Sequence, residues 1–374
     1  MDLTSYFKPL EISAEFAERT LSEHFQTLSN SSDASEFDLA ILFVPEYRYN
    51  GFSPTQMKVT EVVEKLGGLH LQEGSPRILM MGEFICGQSL EDTEAALIDI
   101  FGHLINNKCL PIVIGGTKDL VYSGYKAFAN EDSIVNITAL DTTLNLEGAR
   151  GYIGRIIKEQ PNFLFNYSNL AYQSYYVSQE EIRLAEELFF DAERLGNIRN
   201  AVERTEPAIR GSEIVTLSLE SIKSSDFKSV LSPQPNGLYS EEICQISRYA
   251  GLSEKCKCFY LTEWNGSGDH EDQMLMAQLL WCFIDGWVSR RPEMPGSNKS
   301  DFLKYRVALK GEEHELIFYK SLNTDRWWME VPVPPQYVNR YKKHHIIPCD
   351  YSDYEVAAAD DLPERWWKTY KKML

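Results

Sequence analysis

Residues 111–119 read Pro-Ile-Val-Ile-Gly-Gly-Thr-Lys-Asp. In this stretch a short run of branched apolar residues ends in two glycines, and polar residues follow at once. An apolar run without polar alternation is typical of a strand that is covered on both faces. Adjacent glycines permit the tight turn that leads from such a strand into a helix. The stretch therefore predicts one unit of a mostly parallel α/β sheet.

The same alternation of apolar runs and amphipathic stretches recurs along the chain, which is the pattern of βαβ units. The predicted strands are residues 38–44, 77–82, 111–115, 134–140, 162–167, 214–219 and 257–263. Period-3.6 patterns predict helices at residues 55–66, 90–106, 178–188, 192–204, 240–250 and 272–289. Ser178 and Glu181 form a candidate capping box. We expect a three-layer αβα core.

The sequence changes character after residue 291, where a break rich in Pro, Gly, Ser and Asn separates residues 1–291 from residues 292–374. Strands are predicted at 305–309 and 315–320, so we expect a β-rich, aromatic extension packed on the same domain. Two Arg-Trp-Trp triplets, at 326–328 and 365–367, are interpreted first as core filling and second as a ligand or partner surface.

Overall charge and cysteine usage exclude several classes of function. A formal net charge of −18 disfavours nucleic acid, which basic patches attract. No apolar run approaches the roughly 20 residues that cross a bilayer, and residues 1–10 lack the apolar core of a signal peptide. Seven scattered cysteines favour free thiols in a reducing compartment. We expect a cytoplasmic protein.

Two residue pairs could suggest metal binding, but the favoured interpretation of both is structural. Cys256 and Cys258 lie in an apolar run that predicts a buried strand, where thiols are ordinary core residues. His344 and His345 are adjacent, and adjacent residues of a strand point to opposite faces.

Polar residues follow three of the predicted strands, at residues 115–119, 141–145 and 218–220. In a parallel sheet the carboxyl ends of neighbouring strands converge on the ligand crevice. These positions form one candidate site, and Glu263, at the end of the strand predicted at 257–263, is added to it by resemblance to a known family. The ligand-pocket candidates are Lys118, Asp141, Thr143, Asn145, Ser218, Glu220 and Glu263.

In these segments the chain resembles the arginase, agmatinase and formimidoylglutamase family. The matching features are Ile114-Gly115-Gly116, the strand that ends at Asp141, the run at 206–210 before the third motif, and Thr262-Glu263-Trp264-Asn265. The resemblance covers roughly residues 37–290 and implies an arginase-like sheet of about eight strands. It also implies two manganese ions held at three strand ends, and assembly into trimers or hexamers.

Most of the metal ligands that the resemblance implies are replaced. Lys118 stands for the first histidine, and Thr143 and Asn145 replace two further ligands, so that Asp141 alone is kept from that motif. In the last motif Ser218 and Glu220 stand for two aspartates. Two manganese ions need several carboxylate and imidazole donors, and a lysine adds positive charge instead. We therefore expect no metal cofactor, with Asp141 and Glu220 as remnant positions.

Each site residue has a plain interpretation beside the functional one. We hypothesise that the Lys118 ammonium pairs with Asp141 or Glu220 in the old metal cleft, whereas a solvated loop lysine is the alternative. Asp141 could instead cap a helix near Gly148. Glu263 stands where the resemblance implies a carboxylate that holds the substrate guanidinium, but it could pair with a nearby arginine.

Three functions stay open at this point. The favoured one is a degenerate ureohydrolase that binds a guanidino or amidino ligand or regulates another protein, with no catalytic residue assigned. The second is an active hydrolase of C–N bonds in linear amidines, with manganese in an altered site. The third is a structural protein whose aromatic tail docks a partner. A homo-oligomer is compatible with all three.

Overall fold

The computed structural model describes residues 1–30, 32–53, 57–70, 74–147, 151–295, 299–310, 315–341 and 344–374. Within them a large sheet has the strand order β1-β4-β3-β5-β10-β9-β6-β7-β8, with β2 also paired to β4. Its strands are β1 (Phe7–Lys8), β2 (Phe25–Thr27), β3 (Leu39–Phe43), β4 (Ile78–Phe84), β5 (Leu110–Ile114), β6 (Val135–Leu140), β7 (Leu164–Tyr172), β8 (Asp191–Arg194), β9 (Ile214–Ser218) and β10 (Cys258–Thr262). The eight consecutive strands from β4 to β8 pair in parallel, and only β1 runs antiparallel.

Helices cover both faces of this sheet because its central strands are apolar on both sides. In β3, Leu39 and Ile41 face one apolar cluster, whereas Ala40 and Leu42 face the other. The helices that precede the tail are α1 (Val59–Gly67), α2 (Leu90–Asn106), α3 (Val121–Ala129), α4 (Tyr152–Ile156), α5 (Gln179–Glu187), α6 (Leu195–Asn200), α7 (Glu206–Arg210), α8 (Ser240–Leu252) and α9 (His270–Val288). Helices α1 and α6–α9 pack on one face and α2–α5 on the other. The predicted three-layer αβα core with about eight parallel strands is confirmed.

One predicted helix is wrong in its first part. Residues 192–204 were expected to be helical, but Asp191–Arg194 forms β8, which pairs with β7, and α6 covers only Leu195–Asn200. Pairing with an open sheet edge overrides the local helical pattern of this segment. The strand predicted at 162–167 is also longer than expected, because β7 continues to Tyr172.

Two further expectations are met in part. The helix predicted at 55–66 is present as α1 but begins only at Val59; residues 57 and 58 are not helical, and residues 55 and 56 lie outside the described ranges. Ser178 caps α5, since its hydroxyl accepts a hydrogen bond from the Glu181 amide at 3.0 Å. The Glu181 carboxylate, however, accepts hydrogen bonds from the amides of Leu146 and Glu147, at 3.1 and 3.2 Å, so one half of the predicted capping box is replaced by a loop contact.

The tail forms its own antiparallel sheet in the order β11-β12-β13-β14. Its elements are β11 (Phe302–Ala308), β12 (Glu315–Ser321), β13 (Trp327–Glu330), α10 (Val338–Tyr341), β14 (Ile346–Cys349), α11 (Tyr351–Ala358) and α12 (Glu364–Met373). The β-rich part agrees with the sequence prediction, but the three helices were not predicted. Trp327, Trp328 and Trp366 are buried, as the core-filling interpretation requires, whereas Trp367 is 39% exposed.

The tail packs against the large sheet near the amino ends of β6–β8. Arg210 of α7 donates hydrogen bonds to the carbonyls of Trp327 and Cys349, at 3.0 and 3.2 Å. Lys368 of α12 pairs with Asp191, the first residue of β8, at 3.3 Å. The tail is therefore placed at the opposite end of these strands from the predicted crevice. No helix in the described ranges combines the length and apolarity needed to cross a membrane.

Candidate functional site

The glycine turn after β5 positions the first residue of the site. Gly115 and Gly116 both have positive φ, 88° and 65°, and a Cβ on Gly116 would lie 2.9 Å from the carbonyl oxygen of Val44. Only glycine fits such a turn without strain. The turn places Lys118 at the start of a short 3-10 helix, Lys118–Leu120, at the carboxyl edge of the sheet.

The Lys118 ammonium lies among side chains from the end of β6. Its Nζ is 3.0 Å from Oδ2 of Asp141 and 2.9 Å from the hydroxyl of Thr143. The Lys118 side chain is 19% exposed and that of Asp141 is 2% exposed. The predicted ion pair with Asp141 is present, and the alternative of a solvated loop lysine is wrong.

The charge on Lys118 is stabilised in spite of its burial. Burial alone lowers the pKa of an ammonium group, but the carboxylates of Asp141, Glu263 and Glu220 outweigh that effect and raise the pKa of Lys118 above its usual value. Lys118 therefore stays protonated at any physiological pH, and it acts as a fixed cation among these carboxyl groups.

Asp141 is held by hydrogen bonds with residues that follow it closely in the chain. Asn145 adopts a left-handed backbone, φ 58°, and its amide Nδ2 donates to Oδ2 of Asp141 at 2.9 Å. The hydroxyl of Thr143 lies 3.2 Å from the amide oxygen of Asn145. These contacts orient one carboxylate toward Lys118. Gly148, the helix start that Asp141 was alternatively expected to cap, lies outside the described residues.

Glu263 follows β10 and reaches back to the glycine turn. Its backbone has φ 67°, its amide donates to the carbonyl of Gly116 at 2.7 Å, and its Oε1 accepts from the Lys118 amide at 2.8 Å. Its Oε2 lies 3.4 Å from Nδ2 of Asn50. The hydrogen bonds of its carboxylate within the described ranges come from Lys118 and Asn50, not from the arginine that the alternative required.

The Glu263 carboxyl holds its proton unusually well. Burial first, and then the neighbouring Glu220 carboxylate, raise its pKa to about 8, against the opposing effect of Lys118. Glu220, in the turn after β9, behaves similarly: burial, with a contribution from Asp141, raises its pKa to about 7 although Lys118 lowers it. The site thus contains three carboxyl groups beside one ammonium, and near neutral pH Glu263 is mostly protonated and Glu220 partly protonated.

Ser218, the last residue of β9, pairs with Thr262 of β10 beside Glu263. Its hydroxyl is buried and has no hydrogen-bond partner in the described part of the chain. The structure thus brings Lys118, Asp141, Thr143 and Asn145 into direct contact. Glu263 joins this group through its hydrogen bond with the Lys118 backbone amide. Glu220 lies close enough to shift the pKa values of both Lys118 and Glu263.

Two residues of this region were missed from the sequence. Asn50 lies in the loop after β3 and carries no motif, so only the fold reveals its contact with Glu263. Asp119 is buried beside Lys118, and burial raises its pKa to about 6 against the opposing charges of Lys118 and Arg155. The sequence could have indicated Asp119 only through its position in the polar stretch at 115–119.

The donor set does not fit the two manganese ions that the sequence resemblance implies. In the described ranges no group of three or more His, Cys, Asp or Glu side chains is arranged to hold a metal ion. The oxygen donors of Thr143 and Asn145 are neutral, and the Lys118 ammonium contacts the one carboxylate kept from the β6 motif. A cation at that point repels a dication instead of supporting it.

Solved structures with the same architecture include two formimidoylglutamases and an agmatine ureohydrolase. A Trypanosoma cruzi formiminoglutamase with Mn²⁺ superimposes with a TM-score of 0.62 at 17% identity, over 70% of this chain and 97% of that chain. The formimidoylglutamase of Bacillus subtilis gives 0.62 at 14% identity, over 76% of this chain and 97% of its own. The agmatine ureohydrolase of Thermoplasma volcanium gives 0.55 at 14% identity, over 72% and 94%.

This chain has the arginase-like ureohydrolase fold. Almost the whole of each of these neighbours is matched, so the part of this chain without a counterpart lies beyond the shared ureohydrolase fold. No protein-family model matches the sequence, and no curated protein matches it. At these identities the similarity establishes the fold alone.

Proposed function

We propose that this chain is a degenerate ureohydrolase in which Lys118 takes the place of the metal centre, and that its cleft binds a small cationic guanidino or amidino compound without di-manganese hydrolysis. The observation that carries this proposal is the Lys118 ammonium, 3.0 Å from Asp141 and 2.9 Å from Thr143. The hydrolysis of the fold's metal enzymes uses a hydroxide made available by metal ions. The neutral and cationic replacements remove most of the ligands for those ions and leave only Asp141 and Glu220 as remnants.

The remaining charges favour a cationic ligand. Asp141, Glu220 and Glu263 bring three carboxyl groups to the site beside the single charge of Lys118, and near neutral pH Glu220 and Glu263 still hold protons that a cation can displace. The pKa values of Glu220 and Glu263 are about 7 and 8, so a cation bound beside them near neutral pH favours their ionised forms. Each carboxylate is then stabilised by the cation. A guanidinium or amidinium group supplies that charge together with several N–H donors, which form charge-assisted hydrogen bonds with carboxylates.

Titration calorimetry with agmatine, arginine and formimidoylglutamate tests this binding. We expect at least one of these compounds to bind, and Glu263→Gln to weaken it by about tenfold or more, since a charge-assisted hydrogen bond is lost. Glu315→Gln, which changes a carboxylate 52% exposed in the tail, is the matched control and should leave the affinity unchanged. Absence of binding, or equal affinity in the Glu263 variant, would refute the proposal.

Assembly into oligomers and a cytoplasmic location stay predictions from the sequence. A docking role for the aromatic tail is not favoured, because Trp327, Trp328 and Trp366 are buried within it.

A further inference from the structure

A cavity of about 430 Å³ lies at the seam between the tail and the amino ends of the strands, at the opposite end of the sheet from Lys118. This volume is within the range of about 300–1,000 Å³ that is usual for small-molecule pockets. The wall combines the start of β7 and the segment 187–190, which precedes β8, with α10 and α12. Its apolar part is formed by Phe163, Phe165, Leu188, Phe189, Phe190 and Tyr341.

The charged part of this wall is mainly positive. Arg340, Lys371 and Lys372 line the cavity, and Glu187 is the only carboxylate among its described lining residues. This local excess of positive charge is notable in a chain whose formal net charge is −18. An aromatic cavity with basic groups at its edge is complementary to a molecule that has an apolar body and a negative head.

Lys372 is the cation best placed for that head. It donates a hydrogen bond to the side-chain oxygen of Asn166, and its ammonium lies 5.9 Å from the centre of the Phe190 ring. No carboxylate in the described ranges lies within ion-pair distance of it. Lys368, four residues earlier on the same helix, pairs with both Asp191 and Glu364, at 3.3 and 2.8 Å.

The titration of Lys372 agrees with this geometry. Burial, followed by the like charges of Lys368 and Arg365, lowers its pKa to about 8, although Asp191 acts in the opposite direction. An ammonium in such surroundings gains from any added anion. Lys372 and Phe165 also line an adjoining cavity of about 50 Å³, so that a polar and an apolar space meet at the same residues.

We propose that this seam binds an amphipathic carboxylate, a small molecule whose apolar body occupies the aromatic cavity and whose carboxylate pairs with Lys372. The site uses the tail and the amino edge of the sheet, so it is independent of the Lys118 cleft and goes beyond the function proposed for that cleft. No covalent step is involved.

Calorimetry on the full chain with sodium decanoate, decanol and inorganic phosphate tests the inference. Decanoate should bind at least about tenfold more tightly than decanol, because the alcohol lacks the charge that Lys372 recognises. Lys372→Met should remove that difference, while Lys372→Arg should retain it within about threefold. Lys310→Met, a tail lysine with a side chain 90% exposed, is the matched control and should behave as the wild type.

A second readout needs no variant. The groups that face Lys372 or line the two cavities with it are Asp191, Lys368, Arg365, Lys255, His344, Arg340, Lys371 and Glu187. A bound carboxylate raises the pKa of Lys372, so decanoate binding at pH 8–9 should take up protons and weaken as the pH rises. Calorimetry in two buffers with different ionisation enthalpies measures this uptake. Equal binding of decanoate and decanol, binding of phosphate alone, or binding without proton uptake would each overturn the inference.

Discussion

Lys118 supplies the positive charge that faces the carboxyl groups of the site. Its ammonium contacts Asp141, and its backbone amide contacts Glu263, so one residue links the ends of β6 and β10. Buried carboxylates are costly unless they are paired, and removal of one partner from a buried pair costs more than the pair itself contributes. The side chain at position 118 is therefore expected to matter for stability as well as for binding.

Lys118→Met should lower the free energy of unfolding by about 2–4 kcal/mol, because it leaves Asp141 buried without its cation. Urea denaturation followed by circular dichroism measures the loss. The control is Lys126→Met, which removes a more exposed ion pair with Glu159 and should cost below about 1 kcal/mol. Equal losses in the two variants would show that Lys118 does not neutralise a buried carboxylate.

Glu220 should make the stability depend on pH. Burial raises its folded pKa from 4.5 to about 7, so the folded state holds a proton that the unfolded state releases between these values. The contribution of Glu220 to the free energy of unfolding is therefore fully present below about pH 4.5, and it is lost as the pH rises from there through 7. Relative to the wild type, Glu220→Gln should gain about 1–2 kcal/mol between pH 5 and pH 8, with allowance for partial exposure.

Urea titrations at several pH values measure this gain, with Glu315→Gln as the control that should show no such trend. A difference between Glu220→Gln and the wild type that stays constant with pH would mean that Glu220 ionises normally.

The sequence could predict that Lys118 pairs with Asp141 or Glu220, because all three follow or end predicted parallel strands whose ends converge and a cation stands where metal ligands are lost. It could not predict the contact of Asn50 with Glu263. These residues are 213 positions apart, and the loop after β3 has no pattern that fixes its direction. Contacts that depend on loop geometry are available only from the folded structure.

At the level of elements, strands that are apolar on both faces were the most predictable feature. The segment that became β8 was misread because its sequence is compatible with a helix, and only the edge offered by β7 makes it a strand. In α12, by contrast, the buried residues Trp366, Thr369 and Met373 follow a helical spacing. That helix was predictable from its period, although the tail as a whole suggested strands.

The packing of α8 on α9 depends on a glycine. A Cβ on Gly251 would lie 2.0 Å from the carbonyl oxygen of Phe283, and backbone atoms of a packed helix cannot move aside as a flexible side chain can. Gly251→Ala should therefore destabilise the protein by about 3 kcal/mol or more. Gly102→Ala, in α2 with no atom within 4 Å of the added carbon, should stabilise it by about 0.5–1 kcal/mol.

Thermal and urea unfolding of the two glycine variants test this contrast. The interpretation of a close helix contact fails if alanine is tolerated equally well at positions 251 and 102.

At the scale of the whole molecule, the two ends of the sheet differ in the charged groups that they hold. The carboxyl end holds the Lys118 cluster, which is rich in carboxylates, and the amino end holds the seam with the tail, where Lys372 and Arg340 lie. The fold class follows from repeated strand patterns and was predictable. The position of the tail was not, because it depends on single contacts such as that of Arg210 with the Trp327 carbonyl.

The manganese content of the full-length protein, purified with manganese supplied and assayed with formimidoylglutamate, arginine and agmatine, tests most directly whether Lys118 has replaced the metal centre. We expect far less than one manganese ion per chain and no turnover of the three compounds, because an ammonium contacts the carboxylate kept from the β6 motif. Near-stoichiometric manganese together with turnover would contradict this expectation and would mean that Lys118 moves aside to admit the metal.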